Sequence, residues 1–242
     1  MKTLILSVLF LFISLITLGQ FNSDYGFTYV GIKTAVTTDW IFNKHVSQIT
    51  ESSQTMGASF GNSYGFVCGY NFDESVAIEI DVIYNNFVQN YSGDTTYGGD
   101  FNYNSKTKLN VIDIPVLFRI GIAVYGEIGP VFSFIRKASF NLNAEDNLLD
   151  IKMDVDNFES FDIGGALGVG ANVPIGENIV IDIGFRCTYG FKDVKGINGI
   201  GQTKEDLELL ENETGNDYGS TDFKSNLFKV EASIGFKFLF LN

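Results

Sequence analysis

Hydrophobic and polar residues alternate with a period of two in eight segments of the chain. These lie near 25–36, 58–72, 76–90, 106–120, 122–136, 160–174, 179–192 and 227–240. Successive side chains of an extended strand point to opposite faces, so this period predicts β-strands. The connections alternate as well: 37–57, 91–105, 137–159 and 193–226 are long, whereas 73–75, Gly121 and 175–178 are short. Long loops at one end and tight turns at the other is the connectivity of a membrane barrel. The pattern therefore predicts an all-β fold, an eight-stranded antiparallel up-and-down transmembrane β-barrel.

The two faces of each strand decide what surrounds it. In the segment 179–191 one face carries Ile179, Ile181, Ile183, Phe185, Cys187, Tyr189 and Phe191, and the other Val180, Asp182, Gly184, Arg186, Thr188 and Gly190. The last segment sets Phe228, Val230, Ala232, Ile234, Phe236, Phe238 and Phe240 against Lys229, Glu231, Ser233, Gly235, Lys237 and Leu239. Eight strands leave an interior only wide enough for side chains, and the bulky apolar sets would overfill it. The apolar faces are therefore expected outside, toward lipid, and the charged faces inside. That places Glu79, Asp81, Asp113, Glu127, Asp162, Asp182 and Glu231 opposite Arg119, Arg186, Lys229 and Lys237. A lumen charge network of this kind reads as a salt-bridged plug, because burial demands pairing; a proton or ion path is the alternative. Aromatic residues fall where interface girdles belong, with Tyr84, Phe132, Phe134, Phe161, Tyr189, Phe191 and Phe228 at one rim and Phe72, Phe236, Phe238 and Phe240 at the other. The contrast between faces is weakest in the first strand and in the first half of the sixth.

Met1-Lys2-Thr3 followed by an apolar run from Leu4 to Leu18 and then Gly19-Gln20 has the layout of a secretory signal peptide. Residues 1–19 are read as that signal and residues 20–242 as one outer-membrane β-barrel domain. Every later apolar stretch is broken by Gly or a charge, so no membrane helix is expected. With 26 Gly, 23 Phe and 11 Tyr against 3 Pro, the composition suits turns and pleated surfaces. A formal charge of -13 argues against nucleic-acid partners. Cys68 and Cys187 sit within apolar strand patterns and read as small hydrophobes rather than a disulfide.

Three strand motifs together resemble a known family. Asn110-Val111-Ile112-Asp113-Ile114-Pro115-Val116-Leu117-Phe118-Arg119, Tyr125-Gly126-Glu127-Ile128-Gly129-Pro130-Val131-Phe132 and Ile181-Asp182-Ile183-Gly184-Phe185-Arg186-Cys187-Thr188-Tyr189-Gly190-Phe191 resemble, in order, the PorT-like outer-membrane β-barrel family of Bacteroidetes. A mature terminus at Gln20 fits the exported proteins of that group. The resemblance implies an outer-membrane location, assembly by the barrel-assembly machinery and a role that is mixed across the family: the namesake resembles a component needed for a secretion system, and most members have no assigned activity. The chain departs from the usual barrel terminus in ending Phe240-Leu241-Asn242, with the aromatic two residues inside.

Candidate chemistry is sparse. His45 is the only histidine, and with Asp39 and Ser47 nearby a hydroxyl-imidazole-carboxylate set of a lipid-modifying enzyme is conceivable. Such residues meet by chance in many loops, and His45 reads as solvated. Asp150, Asp154 and Asp156 lack the spacing of a calcium loop, and no cofactor or metal is expected. The acidic run 205–213 has near-helical spacing of Leu207 and Leu210 and suits a short surface helix, within loops expected to be solvated. Bases gather at the loop-side rim: Lys106 and Lys108 at the start of the fourth segment, Arg136 and Lys137 at the end of the fifth, Lys192 and Lys195 after the seventh, and Lys224 before the eighth. These are candidate contacts to lipopolysaccharide phosphates. The expected function is a non-enzymatic outer-membrane barrel with a structural, accessory or secretion-associated interaction role, whose partners are outer-membrane lipid and envelope or secretion proteins. A lipid-modifying enzyme and a soluble ligand-binding barrel are the rivals.

Overall fold

The computed structural model describes residues 26–43, 54–57, 59–73, 75–95, 101–144, 150–215 and 224–240. The signal segment 1–19, Gln20, His45, Ser47 and the terminal Leu241-Asn242 lie outside them. Ten strands are present among the described residues: β1 (Phe27–Asn43), β2 (Gln54–Gly57), β3 (Phe60–Asn71), β4 (Val76–Thr95), β5 (Phe101–Gly121), β6 (Val124–Ala144), β7 (Asp150–Asp154), β8 (Phe161–Pro174), β9 (Ile179–Gly190) and β10 (Ser225–Phe240), with one helix, α1 (Lys204–Thr214). Neighbours run β4-β3-β1-β10-β9-β8-β6-β5, and pairing of β5 with β4 closes a ring of eight. All pairings are antiparallel, and the two short extra strands β2 and β7 extend the ring beside β4 and β6. At one tight turn the Asp73 carboxylate accepts the backbone N–H groups of Ser75 (2.6 Å) and Val76 (2.8 Å). These bonds hold the Asp73 carboxyl below its usual range.

The strands run further at the long-loop end than the alternation alone suggests. Segment 91–105, expected as a loop, is mostly strand, because β4 continues to Thr95 and β5 begins at Phe101. Much of 137–159 is likewise strand, in β6 and β7. The reason is a phase change. Lys137 pairs with Asn110 but Ile135 pairs with Val111, so Arg136 is an extra residue, a β-bulge. Below the bulge Val131, Ser133 and Ile135 face inward; above it Ala138, Phe140 and Leu142 do.

A row of cross-strand neighbours, Tyr64, Tyr84, Ile112, Phe134 and Phe161, runs across β3, β4, β5, β6 and β8, and on β4, β5 and β6 the polarity of the two faces changes across it. The rings of Tyr64 and Tyr84 lie 5.4 Å apart and those of Phe134 and Phe161 5.3 Å apart. Toward the tight turns the outer face is apolar, with Ile32, Phe66, Phe118, Ile128, Leu167, Ile183 and Phe236 exposed, and the inner face is charged. A second aromatic set, Tyr70 with Phe72 and Phe238 with Phe240, closes that band at the turn end. Toward the long loops the polarity inverts on β4, β5 and β6, while β1 and β3 keep exposed apolar positions at Val36, Phe42 and Phe60. On the inverted strands Phe87, Leu109, Val111 and Phe140 are buried inside, and Asn90, Lys106, Lys108, Lys137 and Asn141 face outward.

This loop-side core also takes in part of the segment expected to be solvated. Val194 and Ile197 are buried among Phe140, Leu142 and Leu227. The Val194 N–H donates to the Ser225 carbonyl (2.9 Å), the Glu159 N–H donates to the Val194 carbonyl (3.0 Å), and the Asn198 side chain accepts the N–H groups of Ile200 (3.1 Å) and Gln202 (2.9 Å). Gly201 takes φ 88, and a Cβ there would meet the Phe140 ring, so only glycine lets the segment turn this close to the core. Helix α1 follows, opened by a capping box between Thr203 and Asp206 and pinned through buried Leu207.

Candidate functional site

Inside the apolar band the inward side chains of six staves meet in three tiers. Nearest the tight turns, Arg119 on β5 reaches Glu79 (2.6 Å), Glu127 (2.8 Å) and Asp182 (2.9 Å). Lys237 on β10 pairs with Glu79 (2.9 Å) and with Asp182. Tyr29 donates to Glu79 (2.8 Å), Tyr125 donates to Asp182 (2.9 Å), and the Arg119 guanidinium lies 4.2 Å from the Tyr125 ring centre. In the middle, Lys33 joins Asp81 (3.0 Å) and Glu79 (3.2 Å), while Arg186 joins Glu127 (2.6 Å), Asp81 (3.1 Å) and Glu231 (3.3 Å). Nearest the inversion row, Lys229 joins Asp113 (2.8 Å) and Glu231 (3.2 Å), and Ser133 and Asn85 donate to Asp113.

The result is one continuous network of six carboxylates and five cations among the described residues. Hydroxyl and amide donors serve the one excess negative charge. Room for these long side chains comes from the facing strands: β8 points Gly164, Ala166, Gly168 and Gly170 inward, and a Cβ at Gly168 would strike Glu127 while one at Gly170 would strike Tyr125. Leu117, Val131 and Ala166 fill the remaining side.

The network contains a residue the alternation did not single out. Lys33 faces inward because β1 alternates Tyr29, Gly31, Lys33, Ala35, Thr37 and Asp39 against Val30, Ile32, Thr34, Val36 and Thr38. The threonines on the outer face blur the contrast there. Asp162, grouped with the network by its parity on β8, is buried but joins none of its cations. Its carboxylate instead accepts the backbone N–H of Lys192 (3.0 Å) at the loop-side rim. Asp39 is also buried away from the cations, accepting from Thr37 (3.0 Å) and from the Val88 N–H (3.1 Å).

Among the described residues two spaces border the network, one on each side of it. A cavity of about 20 Å³ between the charge network and the loop-side core, bordered by Asp113, Ser133, Asp162, Thr188 and Lys229, has room for a single water. A vestibule of about 340 Å³ opens at the tight-turn end, lined by Phe27, Ala77, Ile122, Val180 and Leu239, with Tyr29, Arg119, Tyr125 and Lys237 as its floor. It ends at the ion network.

The seven rim bases separate into distinct sets. Lys106 and Lys108 lie well inside β5 rather than at its start, and Arg136 and Lys137 lie at the bulge inside β6 rather than at its end. Lys192 and Lys195 instead reach Glu159, at 3.7 and 2.8 Å, beside a groove of about 520 Å³ between Phe158, Gly196 and Lys204. Hydrogen bonding to Lys195 and the charges of both lysines hold the Glu159 carboxyl below its usual range. Lys224 is exposed just before β10.

A closed ring of eight antiparallel strands with lipid-facing apolar walls is the architecture of an outer-membrane barrel, and a family description agrees. The outer membrane protein beta-barrel domain family matches residues 16–196, well over half of the chain. The chain belongs to that family. Among solved structures, this outer-membrane barrel is similar to Neisserial surface protein A at 14% identity, covering 87% of this chain and 96% of that one, with a TM-score of 0.39. It is similar to OprG from Pseudomonas aeruginosa at 12% identity (90% and 97% covered, TM-score 0.35) and to the outer membrane protease OmpT from Escherichia coli at 8% (92% and 100% covered, TM-score 0.41). No curated relative matches the chain.

Proposed function

We propose that this outer-membrane barrel is a non-enzymatic, non-conducting anchor that presents its loop-side half for structural, accessory or secretion-associated interactions, in the manner of the PorT-like barrels of Bacteroidetes that its strand motifs resemble. The observation that carries the reading is the filled lumen. Glu79, Glu127 and Asp182 are all tied to Arg119, the hydroxyls that reach Glu79 and Asp182 are the phenols of Tyr29 and Tyr125, and the loop-side core is packed by Val194 and Ile197. What remains for recognition is the outer wall and rim. In this reading residues 1–19 are a cleaved export signal, the tight turns face the periplasm and the long loops face outward.

A deletion strain tests the role. Loss of cargo secretion, envelope barrier or adhesion, restored by the wild-type gene, is the expected phenotype, with lipid acylation unchanged by mass spectrometry. Altered acylation that a His45→Ala gene fails to restore would establish the lipid-modifying enzyme instead.

The orientation has its own test. A cysteine at Asn212, on α1, is expected to react with an impermeant maleimide on intact cells, and one at Asn178, in the turn before β9, is not. Labelling only at Asn178 would reverse the topology.

A further inference from the structure

The inversion row fixes a height on the outer wall, and the wall just above it carries a basic face. Counting along β5 and β6, Lys137 pairs with Asn110 two residues beyond Ile112. Lys108 pairs with Ser139 two residues further on, and Lys106 pairs with Asn141, which pairs in turn with Lys152 on β7. Their side chains share the outward side, since the inward positions of the same strands, Ser105, Thr107, Leu109, Phe140 and Leu142, are buried. The bulge adds to this face, because the extra residue leaves Arg136 and Lys137 both exposed in succession. At about 3.3 Å per residue these bases begin some 7 Å along the strand from the aromatic row and end about 20 Å from it. That is the depth of headgroups.

We propose that this β5–β6–β7 face is a binding site for the phosphate groups of the outer leaflet's lipopolysaccharide-type glycolipid. It deepens the interaction role above by naming a lipid partner, and it can fail while that role stands. Three observations carry it. In a chain of formal charge -13, five bases (Lys106, Lys108, Arg136, Lys137 and Lys152) share one wall, and the acidic positions beside them among the described residues are the two ends of β7, Asp150 and Asp154, the second of which Lys137 holds at 3.1 Å. The positions paired with Lys106 and Lys137 on β4, β5 and β6 are amides, Asn90, Asn141 and Asn110, and Lys108 pairs with Ser139; amides and hydroxyls serve sugar hydroxyls and phosphate oxygens alike. The face begins directly above an aromatic row, so a lipid whose chains lie along Ile112, Phe134 and Val116 brings its phosphates to the bases without leaving the bilayer. The bases at Lys192 and Lys195 belong to no such wall and are occupied by Glu159.

The test uses the full mature protein in phosphatidylcholine nanodiscs, with lipid A retention measured by native mass spectrometry. Bisphosphorylated lipid A is expected to be retained at least about tenfold better than dephosphorylated lipid A. Replacing Lys106, Lys108, Arg136, Lys137 and Lys152 by Gln should abolish that preference, and Lys192→Gln with Lys195→Gln should keep it. Should the fivefold variant fail to fold, Lys106→Gln and Lys108→Gln singly must each lower the preference. Equal retention of the two lipids, an unchanged preference in the basic-face variants, or full displacement by equimolar inorganic phosphate would overturn the proposal. Any phenotype of the deletion strain is independent of these outcomes.

Discussion

Arg119→Met is expected to lower the unfolding free energy of the barrel by about 3–5 kcal/mol, the usual cost of removing one partner from a buried ion network. Arg119 touches three carboxylates, Glu79, Glu127 and Asp182, on three different strands. Methionine fills part of the volume and none of the charge. Lys237 still serves Glu79 and Asp182, and Arg186 still serves Glu127, so the surplus negative charge is shared rather than eliminated. Adding Glu127→Gln to Arg119→Met should recover part of the loss, because it lowers the surplus negative charge of the network by one. Urea unfolding in detergent, followed by fluorescence of the single tryptophan, Trp40, reads the midpoint. An unchanged midpoint for Arg119→Met would mean that water, not Arg119, solvates those carboxylates.

Ile183→Arg is expected to cost about 2–4 kcal/mol in a bilayer, the depth-dependent price of a cation against the midplane of a barrel wall. Ile183 is 51% exposed on the outer face and lies between Ala171 and Ile234 in the sheet. Asn141→Arg, on the same outer side but above the inversion row, should change stability by less than about 0.5 kcal/mol. Equilibrium refolding into phosphatidylcholine vesicles compares the two. Equal costs would place both positions in the same medium and remove the inversion row as the membrane boundary.

The parts of this design legible in the sequence are those where both faces of a strand are pure. On β9 and β10, Ile183 and Phe236 against Asp182, Arg186 and Lys237 leave a single choice of register, since a slip of one residue would put every charge into lipid. Lys33 was hidden because Thr34 and Thr38 dilute the apolar face of β1. The loop-side core was hidden for a different reason. Phe87, Tyr91, Tyr103 and Leu109 keep the period of two, but polar and apolar exchange faces above Tyr84 and Ile112, and the bulge at Arg136 then shifts the phase on β6 by one. A pattern scored for one solvent ends where the solvent changes. The burial of Val194 and Ile197 depends on contacts with strands far away in the chain, and isolated apolar residues in a long polar segment carry no period from which to infer it. Asp162 shows the limit of parity: it faces inward as its strand position requires, yet its partner is a backbone amide of the neighbouring loop.

Among the described residues the lumen is blocked above its tight-turn vestibule by six carboxylates and five cations in the membrane, and again by an apolar core with the Val194–Ile197 segment above them. Planar-bilayer recording of the purified protein tests this blockage most directly. A quiet baseline, with no steady steps at any polarity, is the result expected of a barrel whose internal cavity has room for one water between the two layers. Steady porin-sized currents from the unmodified protein would contradict it and make the charged interior a path rather than a plug.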